Sequence, residues 1–281
     1  MSNQGRIRIG ISGWQYPRWR GDFYPVGLPH VRELTYAAER FSSVELNGSF
    51  YSLQRASSYR RWHDATPEDF VFAVKGGRYV THLKRLRDVE TALANFFASG
   101  VLHLGRKLGP FLWQLPERVT YDADVLDAFL AQLPSTAGGV AALAARHDAK
   151  VADPFFEPAD PSMPVRHAVE VRHPSFKTPG FYDLLHARGV SCVLADSAGR
   201  WPALDVVTAP FEYVRLHGHT ELYTSRYADR TLEQWADRCR SAASAGRDVY
   251  VYFDNDAHGH APHDAMRLAD ALGVLAAGYP D

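Results

Sequence analysis

Residues 168–173 read Ala168-Val169-Glu170-Val171-Arg172-His173, and residues 213–218 read Tyr213-Val214-Arg215-Leu216-His217-Gly218. Each is a short run of β-favouring residues that ends in charge. Side chains two apart on a strand share a face, so Glu170 falls with Arg172 and Arg215 with His217. The residues between them, Val171 and Leu216, are apolar and suit packing beneath helices. A polar face confined to the last residues of a strand is the pattern expected where ends of parallel strands carry a site.

Working outward, the same kind of run recurs along the chain. Strands are expected at 6–12, 43–47, 70–75, 111–115, 168–172, 191–196, 213–217 and 249–254, which makes eight. Amphipathic stretches separate them, with helices expected at 31–40, 57–64, 89–102, 125–133, 180–188, 232–245 and 265–272. Strands alternating with helices imply a parallel sheet covered by helices. The predicted fold class is α/β, a single (β/α)8 TIM barrel spanning 1–281, with an insertion between strands four and five at 134–165. That insertion should hold a short helix over Val140–Arg146 and a proline-rich loop from Asp153 to Pro164. An open doubly wound sheet usually carries a glycine-rich phosphate turn after its first strand. Here that strand runs into the bulky Ser12-Gly13-Trp14-Gln15-Tyr16.

Helix boundaries are marked in places. Thr178-Pro179 reads as an N-cap with proline at the first helical position, and Gly189 as the end of that helix. Thr231-Leu232-Glu233-Gln234 fits a capping box. Gly246 closes the same helix before the last strand, and Pro262 suits the first position of the final one.

With 281 residues, the chain is near the usual barrel length of about 250. Apolar residues make up 46% and charged residues 22%, enough for a buried core. The 31 Lys and Arg nearly balance the 32 Asp and Glu, so no global field draws the protein to nucleic acid or a membrane. The N-terminal residues are polar, with no apolar signal segment expected. No stretch approaches the ~20 apolar residues of a spanning helix. Cys192 and Cys239 stand in no metal or redox spacing. Together these features favour a cytoplasmic protein.

The strand ends nominate the site. Glu45 and Asn47 end the second strand, Lys75 the third, Gln114 the fourth, and Glu170, Arg172 and His173 the fifth. Asp196 ends the sixth, Arg215, His217 and Gly218 the seventh, and Asp254 and Asn255 the eighth. Trp14 and Tyr51 lie on aromatic loops that could wall a pocket, and His82 lies on the third loop, placed to close over it. Two readings of the charges stay open. Glu45, Glu170, Asp196 and Asp254 could neutralise Lys75, Arg172 and Arg215, because unpaired burial costs several kcal/mol. Alternatively they await a ligand. The glycines of His217-Gly218-His219 and His258-Gly259-His260 either permit tight turns or help bind an anion. A divalent metal on the carboxylates and His217 is weighed but not favoured, since no zinc spacing is present and three bases already offset the acids.

The same strand ends, with Gly13-Trp14-Gln15-Tyr16, Trp19-Arg20-Gly21, Phe23-Tyr24-Pro25, Phe50-Tyr51, Thr81-His82, Leu112-Trp113-Gln114-Leu115-Pro116 and Tyr252-Phe253-Asp254-Asn255, resemble the YecE-like barrel family. The matching segments run in order along almost the whole chain. The resemblance implies a barrel with a polar cleft and no established reaction. Ser12, Gly48 and Asp254 depart from the Thr, small hydroxyl residue and Asn that the family pattern leads one to expect.

The functional expectation is an enzyme (hydrolase, isomerase or lyase) using general acid–base chemistry on a small polar or phosphorylated ligand. Glu45 and Glu170 are the first candidates for acid and base, with Asp196 and Asp254 as alternatives. Lys75, Arg172 and Arg215 would hold an anionic group or stabilise developing charge. Asn47, Gln114, His173, His217 and Asn255 would orient the ligand. Two alternatives stand beside this: a nucleic-acid or phosphodiester-processing barrel using Arg18, Arg20, Arg55, Lys84, Arg85 and Arg87, and a non-catalytic binding barrel. Oligomeric state is left open.

Overall fold

The computed structural model describes residues 4–274, so Met1–Asn3 of the polar N-terminal stretch lie outside it. The fold class is α/β, of the (β/α)8 barrel type. Its strands are β1 (Ile7–Ser12), β2 (Ser43–Leu46), β3 (Val71–Lys75), β4 (Leu108–Gln114), β5 (His167–Glu170), β6 (Ser191–Cys192), β7 (Leu194–Asp196), β8 (Phe211–Leu216) and β9 (Asp248–Phe253). The helices are α1 (Glu33–Ala38), α2 (Gly48–Tyr51), α3 (Ala56–Asp64), α4 (Glu90–Ala98), α5 (Ala123–Leu130), α6 (Ala137–Ala144), α7 (Pro179–Arg188), α8 (Asp229–Ser244) and α9 (His260–Leu272). Among the described residues no helix is long and apolar enough to cross a membrane.

The chain forms two compact units. The first takes the residues through Glu45, Thr66–Phe70, and those from Ser191 onward; the second takes Leu46–Ala65 and Val71–Val190.

In the first unit β1 pairs in parallel with both β2 and β9, and β8 pairs in parallel with β9 and β7. Strand parity sorts its side chains. Ile9, Ile11, Val44, Val214, Val251 and Phe253 are buried on one face, where the sheet meets α8 and α9. The other face carries Ser12, Ser43, Glu45, Tyr213, Arg215 and Tyr252, all buried. Gly10 lies on this face too, and a Cβ there would sit 2.1 Å from the Ser43 carbonyl oxygen and 3.3 Å from the Tyr252 ring. Only glycine leaves room for the Ser43 Oγ···Tyr252 OH hydrogen bond of 2.6 Å beside it.

The expected sixth strand is two short pieces, β6 and β7, and this divides eight expected strands into nine. The Thr208 hydroxyl accepts the Cys192 backbone N–H at 2.8 Å, withdrawing that donor from the ladder at the break. The capping box does not form: α8 begins at Asp229, with Ala228 at its N-cap and no side-chain cap bond, so Thr231 lies inside the first turn. Likewise α9 starts at His260, ahead of the expected 265, because Gly259 adopts φ +80 at its N-cap. Pro262 is therefore the third helical residue, where its missing N–H still falls among the four that an α-helix leaves unbonded.

In the second unit β3, β4 and β5 pair in parallel. Strand β4 begins three residues before the expected Phe111 and contains Pro110. Its register against β3 shifts between Phe72 and Val74, since proline cannot donate to the ladder and is confined to edges and bulges. Trp113 is fully buried among Phe96, Phe97, Phe111 and Phe129. Its indole N–H donates to His167 Nδ1 at 3.2 Å, and His167 Nε2 lies 2.8 Å from the Pro134 carbonyl. An indole is donor only, so His167 carries its proton on Nε2. Burial pushes its pKa down to about 4, which keeps the ring neutral. The helix expected over 140–146 forms three residues earlier as α6, with the Thr136 hydroxyl accepting the Gly139 N–H at its N-cap. Thr178 precedes Pro179 at the start of α7 without a side-chain cap bond, and Gly189 ends that helix at φ +63 as expected.

Candidate functional site

In the first unit the strand ends build one connected network. Arg215, on β8, grips Glu45 of β2 with two bonds, Nε to Oε2 at 3.0 Å and Nη2 to Oε1 at 2.7 Å. Ser12 at the end of β1 donates to Glu45 Oε1 at 2.5 Å, and Tyr213 donates to Oε2 at 2.7 Å. Glu45 and Arg215 are both completely buried. Burial, then the Glu45 charge, pushes the Tyr213 phenol well above its usual range, so it remains a donor. A forked, charge-assisted pair with its other lone pairs satisfied is the arrangement in which buried charge is tolerated.

Arg215 also reaches outward. Its Nη2 donates to Asp254 Oδ2 at 3.0 Å, just beyond β9, and its Nη1 lies 3.4 Å from His217 Nε2. Guanidinium nitrogens only donate, so His217 Nε2 is the bare nitrogen and Nδ1 carries the proton. That Nδ1 lies 3.0 Å from the same Asp254 oxygen. The His217 ring is clamped edge-on between Trp201 and Tyr223, with centroids 5.2 and 5.5 Å away. Asp254 alone of this network keeps a solvent-facing surface, with 20% of its side chain exposed.

Asp254 faces a cleft of about 470 Å³ lined by Tyr16, Pro17, Arg18, Tyr223, Asp254, Asp256 and Ala257. Asp256 is the second carboxyl there. Its Oδ1 accepts the Trp19 indole N–H at 2.5 Å. Burial and then the neighbouring Asp254 charge raise its pKa to about 7, outweighing the opposite effects of Trp19 and Arg18. The cleft therefore holds two carboxyls in contrasting surroundings: Asp254 against a guanidinium and an imidazole N–H, Asp256 against an indole and a half-buried wall.

A second network supports the loops. Asp196 Oδ2 accepts from Tyr227 OH at 3.1 Å and lies 2.9 Å from His219 Nδ1, while Tyr227 OH accepts the Gly218 N–H at 3.1 Å. Asn255 donates to the Ser225 carbonyl and to buried Asp264, which also takes the Tyr227 N–H and Arg267 Nη1. Gly218 adopts φ +114, and a Cβ there would lie 2.3 Å from the Glu221 carbonyl oxygen. Trp14 is buried, and its carbonyl accepts from Tyr24.

The second unit gathers its own strand-end residues. Lys75, 8% exposed, places Nζ 4.5 Å above the Phe50 ring. Phe50 packs edge-on to Tyr51 and to His82, at 5.1 and 5.0 Å. Arg172 Nε donates to fully buried Glu170 at 2.8 Å. Gln114 turns to the Leu115 carbonyl at 3.0 Å. His173 Nδ1 accepts the Ser175 N–H at 3.2 Å and so caps the turn that follows. Asn47 precedes α2.

Thus Glu45, Arg215, His217 and Asp254 come together, as do Lys75 and His82 near Phe50, and Glu170 with Arg172. Trp14, Gln114 and His173 make local bonds instead. Sequence reasoning missed Asp256. The available signal was nearness alone, since Asp256 stands two residues beyond Asp254, in the turn that follows β9. Among the described residues no three His, Cys, Asp or Glu side chains group as a metal site.

Known proteins share this chain's pattern. The UPF0759 protein YecE of Escherichia coli (strain K12) is 27% identical over 196 residues, which cover 68% of this chain and 59% of the relative, so the match spans less than two thirds of that protein. The UPF0759 protein YunF of Bacillus subtilis (strain 168) is 26% identical over 305 aligned positions, covering 97% of this chain and 96% of the relative. The crystal structure of a DUF72 family protein from Thermotoga maritima superposes with a TM-score of 0.76 at 23% identity, covering 95% of this chain and 99% of that one. A DUF72 family structure from Enterococcus faecalis gives 0.72 at 17% identity, covering 98% and 97%. At these identities the two structures speak to the fold alone. The family model described as protein of unknown function DUF72 matches residues 8–280, and the chain belongs to that YecE-like family.

Proposed function

We propose that the chain is an enzyme that moves protons on a small polar substrate bound in the cleft of the first unit. Asp256 serves as the general acid and Asp254 as the general base. The observation that carries this reading is the contrast between the two carboxyls on one cleft. Efficient acid–base catalysis wants one group protonated and one ionised near the working pH. Asp256, raised to about 7, keeps about half of its carboxyl protonated at neutral pH, where an ordinary aspartate is almost fully ionised. Asp254 accepts from Arg215 and faces His217 Nδ1, both of which favour its ionised form.

Glu45 takes a positioning role in this reading. Both of its oxygens are occupied by Ser12, Tyr213 and Arg215 and neither meets solvent. It holds the guanidinium, and the guanidinium holds Asp254. Tyr16, Tyr223 and Arg18 line the cleft, where aromatic faces and one cation suit a hydroxylated or carbonyl-bearing compound. Glu170 and Lys75 stay outside this proton path.

The test pairs a titration with an activity screen. Carbon-13 NMR of labelled aspartate should find one carboxyl, lost in Asp256→Asn, that titrates near neutrality. Hydrolysis, isomerisation and elimination should then be screened on a panel of small polar metabolites. Any turnover found should fall by about 100-fold or more in Asp256→Asn and in Asp254→Asn, the usual scale of a lost acid or base. Turnover retained in both folded variants would refute the assignment.

A further inference from the structure

Resting on the proton-transfer reading of the first unit's cleft, we propose that its substrate is a monocarboxylate, a small hydroxy- or oxo-acid whose carboxylate is held by the Arg18 guanidinium.

Three features of the cleft converge. The first is charge. Among the described residues that line the cleft, Arg18 alone is cationic; it is exposed, and its guanidinium makes no hydrogen bond or ion pair with any described residue. Arg215 cannot serve instead, because none of its side chain is exposed and it already binds Glu45 and Asp254. A guanidinium is always charged and presents a planar fork of donors that fits a carboxylate with two parallel bonds.

The second is rigidity. Arg18 is the middle residue of a 3-10 turn, Pro17–Trp19. Pro17 fixes its own φ, and Trp19 is fully buried with its indole bound to Asp256. The Trp19 N–H donates to the Tyr16 carbonyl at 3.1 Å and the Arg20 N–H to the Pro17 carbonyl at 3.3 Å. The backbone that carries Arg18 is therefore tied to Asp256 through the adjacent residue.

The third is the pair of aromatic walls. The Tyr16 hydroxyl donates to the Ser12 carbonyl at 2.6 Å, and Gly13, at φ +82, leaves room for that ring, since a Cβ there would lie 3.0 Å from the hydroxyl. Tyr223 adopts φ +63, a region bulky residues rarely enter. Its N–H donates to the His217 carbonyl at 2.5 Å and its carbonyl accepts the Ala257 N–H at 2.9 Å, while its ring packs on His217 and Trp201. Strain held in place from both sides is of the kind found at ligand clamps.

The chemistry selects the ligand class. One guanidinium balances one negative charge. A phosphomonoester dianion would bring a second charge against Asp254 and Asp256, which share the cleft. A neutral polyol would gain nothing from Arg18. A short carbon chain suits the tyrosine faces, and a hydroxyl or carbonyl on it supplies the protons that Asp254 and Asp256 exchange.

The experiment is isothermal titration calorimetry on the intact protein at neutral pH. Lactate, glycerate and gluconate are each compared with a neutral counterpart (propane-1,2-diol, glycerol and glucitol), and glucose 6-phosphate supplies the dianion. At least one acid should bind about tenfold more tightly than its neutral counterpart, the scale of a charge-assisted hydrogen bond. Arg18→Gln should remove that margin, and Arg18→Lys, which keeps the charge but loses the fork, should restore only part of it. No preference for any acid overturns the assignment, as does a preference unchanged in Arg18→Gln or tighter binding of the phosphate ester. Asp254→Asn and Asp256→Asn should still bind the acid, which separates the two readings. If Arg18→Gln loses the margin while both aspartate variants keep turnover, the acid–base roles alone fall. If turnover is lost in those variants while Arg18→Gln keeps the margin, the carboxylate assignment alone falls.

Discussion

Arg215→Met is the perturbation that most directly interrogates the first network. The guanidinium makes two bonds to Glu45 and one each to Ser12 and Asp254, and neither it nor Glu45 is exposed. Methionine fills much of the volume and removes the charge, leaving the Glu45 carboxylate enclosed with only Ser12 and Tyr213 as donors. Breaking a buried pair from one side costs about 3–5 kcal/mol. A chain of 281 residues unfolds with an entropy of roughly 0.6 kcal/mol/K, so the midpoint of thermal unfolding should fall by about 5–8 °C. Differential scanning calorimetry at neutral pH, supported by urea titration, measures both quantities. The double variant Glu45→Met/Arg215→Met should regain most of the loss, because a buried ion pair replaced by apolar side chains is often neutral. A loss below about 1 kcal/mol in the single variant, or a double variant as weak as the two singles summed, would refute the claim that mutual charge compensation holds this layer.

Two further expectations follow from the geometry. Burial raises the folded pKa of Asp256 to about 7 from the ordinary aspartate value of 3.8, so the native state binds more protons than the unfolded chain in that window. Wild-type stability should therefore fall as pH rises from about 4 to 7, and Asp256→Asn, which keeps an acceptor for Trp19, should flatten that slope; parallel pH profiles for the two proteins would count against it. Gly76→Ala should cost about 1–3 kcal/mol by overpacking, because its Cβ would sit 2.3 Å from the Trp113 ring, and urea denaturation with an unchanged midpoint would contradict the packing described.

Much of the architecture is legible in local pattern. The runs that end in Glu45, Lys75, Glu170, Arg215 and Asp254 are strands or strand ends, and Gly189 stops its helix where a left-handed residue is needed. The failures are equally physical. Thr231-Leu232-Glu233-Gln234 has the letters of a capping box, yet α8 begins three residues earlier, close to a full turn, because nothing local forbids Asp229, Arg230 and Thr231 from joining it. The break between β6 and β7 depends on a hydroxyl sixteen residues away, Thr208.

The site divides along the same line. Parity alone puts Arg215 with His217 on a shared face, since alternation is a property of the extended backbone and needs no partner. Protonation and exposure are not local properties. Glu45, expected as an acid or base, is enclosed by residues 12, 213 and 215. Asp256 owes its high pKa to burial against loop residues near Trp19, 237 positions distant. The sequence by itself determined the strand-and-helix alternation, the near-neutral charge and the set of polar strand ends. Only the tertiary structure decided which carboxyl is sealed, which is paired and which faces the cleft, because desolvation and Coulomb energies depend on neighbours that folding brings from far along the chain.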